Sequence, residues 1–167
     1  MLRKIFFTLA IILLAMGGNA SAQSPTAQMI VRAEVYKAIT LTKQSELEFG
    51  KLAVGLNGGS VTISNDGLRT KTGDIALVSS TSNAALIRIE AEGNMPITIT
   101  MDNSVFLNDG SNHELQLTLS ASEPIGGYIN LDQSGILPVN IGGTVQIPQG
   151  SPVGTYTGTV NFSVVYF

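Results

Sequence analysis

The side chains able to do chemistry are few and scattered. His113 is the one imidazole in 167 residues. A Ser-His-Asp set drawn through it would need a nucleophile, a base within hydrogen-bond reach and a carboxylate orienting that base. No nucleophile-elbow motif accompanies it, so it reads as a loop or strand-edge residue. The run Asn108-Asp109-Gly110-Ser111-Asn112-His113-Glu114 is oxygen-rich and faintly like a calcium loop. The EF-hand spacing is absent, and only Glu114 supplies a second close carboxylate. A turn between two strands accounts for the same residues. Glu46 and Glu48, and Glu90 and Glu92, are two apart and share a strand face. Paired carboxylates can do acid-base work, but a solvated face is the better reading of them. The Gly-Gly pairs at 58–59, 126–127 and 142–143 match neither a P-loop nor a dinucleotide fingerprint. The expectation is a protein that is not an enzyme, with no catalytic residues, no cofactor and no metal site.

Composition narrows the classes further. The chain lacks Cys and Trp, so disulfides, thiolate nucleophiles and zinc-thiolate sites are excluded. Residues 1–22 read as a secretory signal peptide. Arg3 and Lys4 make a positive start, the segment 5–16 is apolar, and Ala20-Ser21-Ala22 gives a small-residue cleavage site before Gln23. The apolar run falls short of the roughly 20 residues needed to span a bilayer. Arg3 and Lys4 are the only charges in residues 1–22, so the net charge of −3 becomes −5 once they are removed. An acidic chain without a basic patch is not a nucleic-acid binder. No second spanning segment follows, so membrane insertion of the mature chain is not expected.

The mature chain reads as all-β. Short runs of alternating Val, Ile and Thr are separated by Gly, Asn, Asp and Pro. The inward sets are Val61 and Ile63, Ile75 and Leu77, Ile87 and Ile89, Ile97 and Ile99, Leu115 to Leu119, and Val139 to Ile147. Asn65-Asp66-Gly67 marks a turn, and Gly142-Gly143 marks a bulge or close backbone approach. Tyr156, Val160, Phe162, Val164 and Tyr166 share one face of a closing strand about 12 residues long, against a usual 5–6. A small outer-membrane barrel would need Val165, Ser163, Asn161 and Thr159 to face lipid, and these are mostly polar. Eight aromatics in the mature chain are also thin for two interfacial girdles. The fold class expected is all-β, a β-sandwich over residues 38–167, preceded by an arm at 23–37.

In that arm Met29, Val31, Ala33 and Val35 alternate with polar neighbours. Nine residues at about 3.3 Å each reach about 30 Å, the length of a sandwich. The pattern fits a first strand of the chain's own fold or a strand donated to another subunit's open edge.

Two resemblances bear on that choice. Gly154 is fourteenth from the end and Tyr166 is penultimate, with Tyr156, Val160, Phe162 and Val164 between. This resembles the C-terminal signature of pilus subunits assembled by the chaperone–usher route. Leu47-Glu48-Phe49-Gly50-Lys51-Leu52, Gly59-Ser60-Val61-Thr62-Ile63, Gly142-Gly143-Thr144-Val145 and Gly154-Thr155-Tyr156-Thr157-Gly158-Thr159 together resemble a secreted bacterial family, domain of unknown function 4402. The chain departs from the better-known pilins in lacking their disulfide.

The resemblance implies an immunoglobulin-like (pilin-like) β-sandwich, incomplete by itself and completed by a donor strand plugged by Met29, Val31, Ala33 and Val35. It implies an acceptor groove, read by a periplasmic chaperone, lined by Tyr156, Val160, Phe162, Val164 and Tyr166 and entered at Gly154. The implied partners are further copies or other fibre subunits, a periplasmic chaperone and an outer-membrane usher. The implied place is the cell surface, reached through the periplasm. The implied role is a pilus or fimbrial subunit serving adhesion or biofilm formation. The alternative is a monomeric secreted binding module, for example for carbohydrate, in which the arm pairs within its own chain.

Overall fold

The computed structural model describes residues 25–167. The expected signal peptide, its cleavage site and Gln23 lie outside the described residues. The chain divides into two units, Met1–Glu34 and Val35–Phe167. The first, described from Pro25, contains no strand. Val35, Tyr36 and Lys37 of the expected 23–37 arm fall in the second.

The second unit is built entirely of strands, and the described residues contain no helix. In chain order the strands are β1 (Thr40–Ser45), β2 (Leu52–Ile63), β3 (Arg69–Leu77), β4 (Ala85–Glu90), β5 (Pro96–Met101), β6 (Ser104–Asn108), β7 (Glu114–Ala121), β8 (Tyr128–Asn130), β9 (Ile136–Ile147) and β10 (Phe162–Tyr166). Period-two alternation of β-branched residues selects these segments, since it buries one face of each.

One sheet has seven antiparallel strands. It runs β1-β4-β9-β2-β3, with β7 also on β9 and β6 on β7. The other sheet is β10-β5-β8. β9 organises the larger sheet. Ile136 to Ile141 pair with Glu90 to Ala85 of β4. Gly143 to Ile147 pair with Ile63 to Gly59 of β2. Ile141 to Val145 pair with Ala121 to Leu117 of β7. β7 therefore holds one edge of β9, while β2 and β4 lie end to end along the other.

The immunoglobulin scheme places strands ABED in one sheet and CFG in the other. Here β1-β4-β9-β7 occupy the places of A, B, E and D, and β5 and β10 those of C and F. The β2–β3 hairpin is added beside β9. No strand among the described residues takes the seventh place, beside β10.

Two apolar clusters fill the interior. One joins Ile89, Val139 and Ile141 of the larger sheet to Ile97, Ile99 and Met101 of the smaller. The other gathers Val61, Ile75, Leu115, Leu117, Val145 and Ile147. β9 serves both, with Gly143 at the inward position between them. A Cβ there would meet Leu117 Cδ1 at 2.9 Å and Thr118 O at 2.8 Å. At Gly142 it would meet Ile63 O at 2.3 Å. The Gly142-Gly143 pair is thus a close backbone approach, as its sequence suggests. Asn65-Asp66-Gly67 turns as expected, with the Gly67 N–H donating to Ser64 O at 2.9 Å.

The closing strand differs from expectation. It is five residues long, not about 12, because 155–160 lies away from the smaller sheet. Thr157 instead bridges Asn108 at the end of β6. β6 and β8 carry too few alternating positions to stand out in the sequence.

Candidate functional site

The site is the outer edge of β10. Its register runs from Phe162 opposite Met101 to Tyr166 opposite Ile97. Asn161 O accepts the Asp102 N–H at 3.2 Å, and the Phe167 N–H donates to Pro96 O at 3.1 Å. In an antiparallel pair, consecutive residues turn their main-chain groups to opposite edges. Residues 161, 163, 165 and 167 therefore face β5. The N–H and C=O groups of Phe162, Val164 and Tyr166 face the other edge, where no strand among the described residues pairs. Their side chains point inward, half-buried against the first core cluster together with Val160.

The opposing sheet is thinly covered at the same end of its order. Leu41 on β1 lies opposite Ile89, which is wholly buried. Facing pairs project to the same side of a sheet, so Leu41 also points inward, yet it is 42% exposed. The next inward position of β1 is Lys43, which is exposed and paired with Glu46. One interior margin of the sandwich is consequently left open beside its two edge strands.

Tyr166 anchors the end of β10. Its hydroxyl accepts the Glu92 N–H at 2.7 Å and donates to Lys37 O at 2.6 Å. The Lys37 N–H donates to Glu92 Oε2 at 3.2 Å. The Tyr36 ring lies 6.0 Å from the Tyr166 ring. At the other end, the Asn161 N–H donates to Asp102 Oδ2 at 2.8 Å.

The expected groove residues do not all gather. Val160, Phe162, Val164 and Tyr166 join the first cluster, whereas Tyr156 packs on the second. Gly154 lies in a bend eight residues before β10, and a Cβ there would meet Asp109 Cβ at 3.4 Å, an ordinary contact. The more crowded glycine of this segment is Gly158. A Cβ there would meet Leu107 Cδ2 at 2.7 Å and Phe106 O at 3.0 Å. Its sequence signals are its place between two threonines of an alternating run and within the Gly154–Thr159 segment. Of the candidate donor residues, Met29, Val31, Ala33 and Val35 are all exposed, and none lies in a strand.

Several of the groups weighed for other chemistry have partners within the fold. His113 Nδ1 donates to Asp109 Oδ2 at 2.7 Å. The Ser111 and His113 amides donate to Asp109 Oδ1, and the Gly110 amide to Asn108 Oδ1. Asn108 Oδ1 and both Asp109 carboxylate oxygens thus hold a turn. The His113 bond, foremost, holds the Asp109 carboxyl below its ordinary range. Burial, then the Asp109 charge, pushes the Tyr156 phenol upward, and its hydroxyl donates to Pro152 O at 2.9 Å. Glu90 pairs with Arg88 and Glu46 with Lys43. No group of three or more His, Cys, Asp or Glu side chains able to hold a metal occurs among the described residues.

No curated protein matches the chain. The family described as a domain of unknown function (DUF4402) matches residues 39–166. That span covers both sheets and both core clusters and begins just before β1. The chain belongs to the DUF4402 family.

Proposed function

We propose that the protein is a non-enzymatic structural subunit of a bacterial surface fibre, a pilus or fimbria, joined by donor-strand exchange. The fibre serves adhesion or biofilm formation. The observation that carries this reading is the edge of β10, with three residues of unpaired main chain above half-buried apolar side chains. Such an edge is a template for another chain. Added strands take affinity from main-chain hydrogen bonds and specificity from alternate side chains.

The occupant is the alternating segment around Met29, Val31, Ala33 and Val35 of a neighbouring copy or another fibre subunit. Each plug that became fully buried would contribute roughly 1.5–3 kcal/mol, less for Ala33. A periplasmic chaperone holds the same edge during export, and an outer-membrane usher passes the subunit to the surface.

The test is a denaturing gel of the chain recovered from the periplasm, run with and without heating. A ladder in the unheated lane that collapses on heating is expected. A single monomer band in both lanes, with a cooperative melt in solution, overturns the reading and returns the chain to a monomeric binding module.

A further inference from the structure

A second feature lies away from β10, on the outward face of the larger sheet. The chain leaving Ile63 crosses over Gly142, which is why no Cβ fits there. The crossing stands the 64–67 turn on the sheet as a wall. The 82–84 segment, tied to Glu48 by two main-chain hydrogen bonds of 2.9 and 3.0 Å, forms another. Between them is a cleft of about 480 Å³, within the roughly 300–1,000 Å³ range of small-molecule sites.

Its floor is apolar at Leu86, which faces Asn140 across the strand pair. The rest of its polar lining is almost uncharged: Asn140 beside Leu86 on the sheet, and Ser45, Asn65, Asp66, Ser82 and Asn83 around it. The carboxamides are presented to the cleft by the fold. Asn65 Oδ1 accepts the Gly142 N–H at 3.1 Å and the Ser120 hydroxyl at 3.0 Å. A backbone amide can only donate, so the oxygen is fixed inward and Nδ2 is left at the other end of the group. Asn83 and Asn140 have main-chain partners, but their side-chain amides have none. Asp66 Oδ1 is occupied by the Ser64 hydroxyl and the Leu68 N–H, which leaves Oδ2 available.

Carboxamides offer donors and acceptors together, as vicinal hydroxyls do. An apolar floor suits the C–H face of a sugar ring, and one carboxylate disfavours an anionic ligand. We propose that this cleft is a binding site for a neutral pyranose, a mono- or disaccharide unit of a glycan. It shares no residue with the β10 edge and does not rest on the fibre reading.

The test is saturation-transfer NMR on the full-length expressed chain with free glucose, galactose, mannose and N-acetylglucosamine, which reads ligand signals whatever the assembly state. Saturable transfer from at least one sugar is expected. N83A/N140A should weaken it about tenfold or more, the loss of one to three hydrogen bonds, while the melting temperature stays near wild type. Tyr128→Ala, on the exposed face of the other sheet, should leave binding unchanged. No transfer from any of the four sugars overturns the proposal. So does transfer that survives N83A/N140A or is lost in Tyr128→Ala. Should N83A/N140A fold poorly, Leu86→Gln replaces it, changing only the floor, and unchanged binding there overturns the proposal equally.

Discussion

At the scale of single residues, glycines of similar appearance carry different demands. Gly154 stands out in the sequence, at the head of a motif, yet its neighbours leave room for a methyl group. Gly158 lies against Leu107 and the Phe106 carbonyl. Gly154→Ala should change stability by less than about 0.5 kcal/mol, as surface substitutions do. Gly158→Ala should cost about 1 kcal/mol, the low end of overpacking, because the Leu107 side chain can turn aside while the Phe106 carbonyl must give way slightly. Denaturant melts of the two variants check the contrast, and equal costs would refute it. Tyr166→Phe removes a hydroxyl that both accepts and donates. It should cost about 1–3 kcal/mol in the same assay.

The carboxylates give a pH dependence of known sign. Asp109, Asp66 and Asp132 are all held below their ordinary range, foremost by side-chain hydrogen bonds from His113, Ser64 and Ser134. A group depressed in the folded state contributes stability above its unfolded pKa, about 3.9 for Asp. That contribution disappears as the pH falls through the folded value. The melting temperature should therefore fall as the pH drops from about 4 toward 2. Asp109→Asn should make that acid limb shallower. An unchanged limb in the variant would show that Asp109 contributes nothing to it.

At the scale of elements, most of the strand pattern was legible because β-branched and leucine residues at every second position alternate with polar neighbours. Val61 and Ile63, Ile97 and Ile99, and Val139 to Ile147 are all buried where alternation put them. Residues 155–166 misled for a physical reason. Alternation reports that one face is buried, not against which partner. Tyr156 and Val160 share a parity, yet the Thr157–Asn108 bridge turns the first to one cluster and leaves the second in the other. β8 has three residues and β6 five, too few for a period to declare itself. The open edge of β10 was not legible at all from composition or spacing, since it depends on which strands are absent beside it.

That edge makes a prediction of its own. Residues 163, 165 and 167 direct their amides to β5, and residues 162, 164 and 166 direct theirs outward. In a monomer, the Val164 amide should exchange with solvent markedly faster than that of Val165. In an assembled sample the two should be protected alike, because an added strand would pair Val164. Residue-resolved hydrogen exchange on both samples reads this directly. Fast exchange at Val164 in an assembled sample would mean that β10 is not where the copies join.

At the scale of the whole molecule, the question is what holds one copy to the next. The candidate donor residues Met29, Val31 and Val35 are 84%, 79% and 92% exposed, and the inward side chains along β10 are apolar at Phe162 and Val164, with Val160 just before them. A joint made there rests on buried apolar area and main-chain hydrogen bonds, neither of which salt screens appreciably. The unheated ladder should consequently survive 1 M sodium chloride, where exposed charges more than about 3 Å apart are largely screened. A charge placed in the donor acts differently. Val31→Asp or Val35→Asp would bury an unpaired carboxylate at a plug position, a cost that removes the gain from neighbouring plugs. These variants should give monomer alone on the unheated gel. Their domains should still melt cooperatively, since both positions are exposed and lie in no strand. Retention of the ladder in both variants would rule out this segment as the donor. Dissolution of the wild-type ladder by salt would instead identify the joint as electrostatic and leave the β10 edge unoccupied.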